Sequence, residues 1–325
     1  MDDDVDKFLA YCRRLRQNDP HIVDVDCLDG SVEKLQHMCE SLYENTVVQI
    51  LNVRLCHMRH HGMVALAQLL ERNVTLQVLR VDCNVNANLP EEEGFSIFAE
   101  ALAHCHLETV FLFQKDDGVD YGGFFNSFCK GLAQNTTIQG LYLENMDIGD
   151  DDALALGNAL KANNSIQNFA LRGSRTEVGM NHIWNGLQQN SAITEFSALG
   201  IPISSEVLPA MSHLLKKNTS IKSLYLQGCS NIGTEASRTL FRTILEDNFT
   251  LEYIDIKHLN HVDYYFALET IGYLNTDGSR RKLLKETNDV PVGLWAYVFA
   301  STGKIGKCTD VLFHFVKSKP ELFKV

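Results

Sequence analysis

NTTIQGLYL at 135–143, NNSIQNFAL at 163–171 and NTSIKSLYL at 218–226 decide the fold. Each begins with an asparagine and then spaces its apolar residues as L-x-x-L-x-L, as Ile221, Leu224 and Leu226 do. The last two flank one residue, which is the alternation of a strand with one buried face. Working outward, the pattern recurs as NTVVQILNV at 45–53, NVTLQVLRV at 73–81, NSAITEFSA at 190–198 and NFTLEYIDI at 248–256. HCHLETVFL at 104–112 is a degenerate copy, and QNDPHIVDV at 17–25 is a weaker first one. The copies start at 17, 45, 73, 104, 135, 163, 190, 218 and 248. A repeat of this length, carried nine times in phase, marks a solenoid whose units bury their apolar faces only by stacking.

The alternation predicts strands at 22–26, 50–54, 78–82, 109–113, 140–144, 168–172, 195–199, 223–227 and 253–257. Between them lie stretches such as MVALAQLLERN at 63–73, ALALGNALKANN at 153–164 and VLPAMSHLLKKN at 207–218. Leu66, Leu69 and Leu70 recur at the three-to-four spacing of an amphipathic helix. The asparagines at 73, 135, 163, 218 and 248 are expected to end these helices, in a left-handed conformation or by bonding freed carbonyls. A later Cys or Asn, such as Cys56, Asn84 or Cys229, is expected to bond the backbone where the strand leaves the sheet.

One strand plus one full helix per unit of about 28 residues resembles the ribonuclease-inhibitor class of leucine-rich repeats. The likeness spans roughly residues 17–262. Members include ribonuclease inhibitor, the repeat regions of nucleotide-binding immune receptors, the tropomodulin end-domain and the activator of the Ran GTPase. The resemblance implies an α/β horseshoe with parallel strands on the concave face and helices outside. It implies protein binding on that concave face, with regulation of a Ran-type small GTPase as the alternative. The Ran activators carry a long acidic tail after their repeats; this chain ends in basic residues instead. A stimulated GTP-hydrolysis assay separates the two readings. A third, a detached sensor region of an immune-type receptor, would have to act in trans.

The ends of a solenoid need sealing. Residues 1–17 are read as an N-terminal helical cap, with Val5, Phe8, Leu9, Cys12 and Leu15 on one helical face. Residues 18–262 are the repeats, and 263–325 a C-terminal helical cap. From Ser279 onward nine basic residues face four acidic ones, so this tail is positive while residues 1–278 carry the negative charge.

The net charge of −12 repels phosphate backbones and argues against a nucleic-acid partner. No apolar run is long enough to span a membrane. Nine scattered cysteines without a CxxC argue against a disulfide or zinc framework. The acidic start has no apolar signal core, so a reducing compartment, cytoplasmic or nuclear, is expected.

No arrangement in the repeat grid supports catalysis, so the chain is expected not to be an enzyme and to use no cofactor. STGKIGKC at 301–308 lacks the first Gly and the last Ser or Thr of a phosphate loop and reads as a solvated turn. Cys56, His57, His60 and His61 cluster, but Cys56 fills a repeat position, so no metal is expected. Every N-x-[ST] site shares the repeat phase of its asparagine, so these read as structural rather than as glycosylation sites. Asp150–Asp152 suit a helix N-terminus.

Residues alternating with the buried ones should face the concavity. The central column is expected to be Asp24, Asn52, Arg80, Phe111, Tyr142, Ala170, Ser197, Tyr225 and Asp255. The next runs Asp26, Arg54, Asp82, Phe113, Glu144, Arg172, Leu199, Gln227 and Lys257. Partner contacts are expected from Phe111, Phe113 and Tyr142, with Tyr225 and Tyr253 as a second aromatic pair and Arg80, Glu144 and Arg172 beside them. Asp116, Asp117 and Asp120, in a lengthened loop, would attract a basic partner. The other reading of Phe111 and Phe113 is packing under residues 114–123.

Overall fold

The computed structural model describes residues 2–27, 31–54, 60–83, 92–114, 123–173, 179–201, 206–227, 239–240, 243–244 and 247–255. Helices and strands alternate. The helices are α1 (Asp2–Arg16), α2 (Val32–Leu42), α3 (His60–Arg72), α4 (Glu92–His104), α5 (Phe124–Gln134), α6 (Asp150–Ala162), α7 (Met180–Gln189) and α8 (Leu208–Lys217). The strands are β1 (Asp24–Cys27), β2 (Ile50–Arg54), β3 (Val78–Asp82), β4 (Thr109–Phe113), β5 (Gly140–Glu144), β6 (Asn168–Arg172), β7 (Glu195–Leu199), β8 (Ser223–Tyr225) and β9 (Tyr253–Asp255). All nine pair in parallel, in chain order, in one sheet. The architecture is an α/β solenoid, as the repeat pattern requires.

Six strands, β2 to β7, match their expected spans to the residue. β1 does not. Its register sets Asp24 beside Ile50 and Asp26 beside Asn52. Asp26, not Asp24, therefore stands in the central concave column, and the first repeat is two residues shorter than its apparent spacing. Asp19 occupies the asparagine position there and accepts from the His21 backbone N–H.

The inward residues form columns down the sheet. Leu51, Leu79, Val110, Leu141, Phe169, Phe196 and Leu224 are buried in one, and Val53, Val81, Leu112, Leu143, Leu171 and Ala198 in the next. They meet the inner faces of the helices in one continuous core. Each fully buried aliphatic side chain contributes about 1.5–3 kcal/mol before entropy is counted. Gly157 and Gly186 let α6 and α7 approach closely: a Cβ on Gly157 would overlap the His182 carbonyl, and one on Gly186 that of Gly157.

The asparagines form a buried ladder. Asn163 Oδ1 accepts from the backbone N–H groups of Ser165 and Ile166. Its Nδ2 donates to the carbonyls of Leu132 and Asn135 in the preceding repeat. Asn73, Asn190 and Asn218 repeat both halves of this pattern. Where the degenerate repeat carries no such asparagine, Asn135 Nδ2 donates to Leu102 O and Cys105 Sγ. These asparagines are extended, not left-handed; Asn163 has φ −76° and ψ 132°. Left-handed geometry occurs instead at Asn18, just after α1, and at Asn145, Gly173 and Gly200, after β5, β6 and β7.

The helical face expected on α1 is buried only in part. Cys12 and Leu15 are buried, but Val5 and Leu9 are exposed. The expected cap at 263–325, the acidic loop residues and the post-strand positions Cys56, Asn84 and Cys229 lie outside the described residues.

Candidate functional site

The concave column runs through hydrogen-bonded neighbours in register: Asn52, Arg80, Phe111, Tyr142, Ala170, Ser197, Tyr225 and Asp255. In-register neighbours on parallel strands stand about 4.8 Å apart, so large side chains here must stack. Phe111 and Tyr142 do, with centroids 4.5 Å apart and planes 13° from parallel. Both rings are half-buried. The Arg80 guanidinium lies over Phe111, 5.3 Å from its centroid, and closes one end of the stack. Gly140 makes room for Tyr142, since a Cβ there would press on the tyrosine ring at 3.0 Å.

Tyr225 and Tyr253 form the second pair, at 5.3 Å and 45°. Burial raises the Tyr225 pKa, and the nearby Glu195 carboxylate adds to it. Tyr253 is 46% exposed.

Between the pairs the column holds small residues, Ala170 and Ser197, both buried. The result is a depression of about 110 Å³, with Tyr142 and Tyr225 as walls and Asn168, Glu195, Arg172, Leu199 and Gln227 around it. A drug-sized ligand needs about 300 Å³ or more, so this space suits one side chain.

The charged residues are mostly paired. Arg54 Nε stands 3.3 Å from Asp82, which is buried, and Arg172 Nη1 stands 3.2 Å from Glu144. Exposed pairs such as the second contribute only about 0–1 kcal/mol, so they fix side-chain direction more than stability. Glu195 is exposed and has no hydrogen bond or ion pair among the described residues.

The structure thus brings together Arg80, Phe111 and Tyr142, then Glu144 with Arg172, then Tyr225 with Tyr253. Phe113 is half-buried at the end of β4, in register with Glu144 rather than in the ring stack. Asp116, Asp117 and Asp120 lie outside the described residues. Residue type alone did not single out Gly140, Ala170, Glu195 and Ser197 as part of the site. The signal for Ala170 and Ser197 was the gap between aromatic residues in the central column; Gly140 and Glu195 stand two residues earlier on their strands.

Among the described residues no group of three or more His, Cys, Asp or Glu could hold a metal ion. Nor is any described helix long and apolar enough to cross a membrane.

No protein-family model matches the chain, and no curated protein does. Among solved structures, the leucine-rich repeat-containing protein LegL7 from Legionella pneumophila is similar over 81% of this chain and 84% of its own, at 13% identity and a TM-score of 0.50. The chain has the leucine-rich repeat fold. The actin-binding site 2 of leiomodin-1 is 24% identical over 48% of this chain and 88% of its own, at a TM-score of 0.36. The tropomodulin C-terminal domain of Caenorhabditis elegans is 15% identical over 56% and 92%, at 0.32. Superposition at those two scores carries no argument about this chain.

Proposed function

We propose that the chain is a non-catalytic protein-interaction module, of the ribonuclease-inhibitor type of leucine-rich repeat, that docks a protein partner on its concave face. The observation that carries this reading is the slot between two aromatic pairs on an otherwise largely polar face. A rigid sheet loses little entropy when it binds, and partly exposed aromatic residues are the usual centres of interface energy. Phe111, Phe113, Tyr142, Tyr225 and Tyr253 make the apolar contacts in this reading. Arg80, Glu144 and Arg172 orient the partner, while Asp116, Asp117 and Asp120, which follow Phe113 in sequence, attract a basic surface. Residues 263–325 act as the C-terminal cap. The six described cysteines are free and buried, which supports a reducing, cytoplasmic or nuclear setting.

The test is quantitative affinity capture with the whole chain and with a Tyr142→Ala variant of unchanged melting temperature. The reading expects a captured protein to be lost from the variant. Capture of the same proteins in the same amounts by both would overturn it.

A further inference from the structure

We propose that the slot between Tyr142 and Tyr225 is a socket for one arginine side chain of the protein partner. This rests on the docking reading above and names the chemistry of its central contact.

Four observations converge. The first is size. Tyr142 and Tyr225 stand three strand spacings apart, about 14 Å, over a floor of Ala170 and Ser197. The open depression holds about 110 Å³, which takes a side chain and not a folded element.

The second is charge. Glu195 opens the N-terminal side of the slot without a hydrogen bond or ion pair among the described residues. The Glu144 carboxylate is already held by Arg172. Arg172 and Glu195 stand at opposite ends of their strands, so Arg172 leaves the Glu195 carboxylate unneutralised. An unpaired anion beside aromatic rings is complementary to a cation.

The third is precedent within the molecule. The Phe111–Tyr142 stack already carries the Arg80 guanidinium on its Phe111 end. Its Tyr142 end lines the slot, so an incoming guanidinium would complete a symmetric cation–ring–ring–cation sandwich.

The fourth is electrostatic. Tyr225 holds its proton more tightly than an ordinary tyrosine, through burial and then through Glu195 and Asp255. The smaller part of that effect comes from the two carboxylates, which add negative charge beside Tyr225.

Arginine suits the site better than lysine. A planar guanidinium stacks on a ring and forks onto a carboxylate at once, whereas an ammonium is a compact, strongly hydrated charge. Asn168 and Ser197 add side-chain oxygens within the lining for the remaining N–H donors.

The experiment titrates the full chain with the blocked peptide acetyl-Gly-Gly-Arg-Gly-Gly-amide and follows backbone amide NMR shifts. The same peptide with citrulline, uncharged but of the same shape, is the control. The expected result is a saturable shift centred on Ala170, Ser197 and Leu199 in the millimolar range, about tenfold weaker for citrulline. Glu195→Gln should weaken the arginine peptide about tenfold with an unchanged melting temperature, since Glu195 is exposed. Equal binding of citrulline, an unaffected Gln variant or no saturable shift would each overturn the socket. If a natural partner is lost with Tyr142→Ala but kept with Glu195→Gln, the socket fails while docking on the concave face stands.

Discussion

The ring of Phe111 lies flat on that of Tyr142, 4.5 Å away, although 31 residues separate them in sequence. The repeat makes this contact: it puts both side chains at the same column position on adjacent parallel strands. The pair leaves the Tyr142 edge of the stack lining the slot.

Removing this stack should separate binding from stability. The stack adds about 0.5–1.5 kcal/mol beyond the area Phe111 buries, and the ring is only half-buried, so Phe111→Ala should cost less than the about 3–5 kcal/mol of a core phenylalanine. Truncating a central aromatic anchor of an interface costs about 2 kcal/mol, roughly 30-fold in affinity. Denaturant unfolding beside quantitative capture measures both. A variant that unfolds would place Phe111 in the core.

Asn163→Ala should be among the most damaging single changes in the repeats. It strands the N–H groups of Ser165 and Ile166 and the Leu132 carbonyl, and leaves the Asn135 carbonyl with only the Ser165 hydroxyl. Buried polar groups left unpaired cost about 1–3 kcal/mol each, so a loss of roughly 3 kcal/mol or more is expected in chemical denaturation. The same burial predicts that Asn163 carries no glycan even when the chain passes through a glycosylating compartment.

Gly157→Ala should force α6 and α7 apart, because its Cβ meets the His182 carbonyl. Overpacking of this kind costs about 1–3 kcal/mol. Gly149→Ala, which meets nothing within 4 Å, should cost under about 1 kcal/mol. Comparable melting of the two variants would contradict the close helix approach.

The thiols give the fold an alkaline limit. Burial raises Cys27 to about 11 and pushes Cys39, Cys83 and Cys129 up as well. The unfolded chain ionises these thiols near pH 8.5, while the native state keeps them protonated, so stability is full below that pH and falls as pH rises toward the native values. For Cys27 alone the loss is about 2–3 kcal/mol by pH 11. Urea midpoints at pH 7, 9 and 10.5 check it, and a flat profile would contradict it. At pH 7.5 an alkylating reagent should label these thiols only after denaturation.

The repeated asparagine and the alternation after it made most strands legible, because a fixed phase leaves one register that buries Leu141, Phe169 and Phe196 together. The phase failed in the first repeat, where Asp19 replaces the asparagine and the unit is two residues short. Helix faces were harder. Val5 and Leu9 share the periodicity of Cys12 and Leu15, yet only the latter two are buried, because periodicity sets a helix face and not what covers it. The aromatic contacts were visible as a column. The slot was not, because large residues mark themselves by type, and the slot is made by the small ones, Ala170 and Ser197.

The most direct measurement is parallel affinity capture with three full-length chains of matched stability: wild type, Phe111→Ala/Tyr142→Ala, and Leu154→Ala. Leu154 is exposed on α6, the helical layer behind the sheet, and controls for loss of any surface apolar group. If the concave face is the docking surface, at least one partner disappears with the double variant and persists with Leu154→Ala. Retention of every partner by a folded double variant would contradict it.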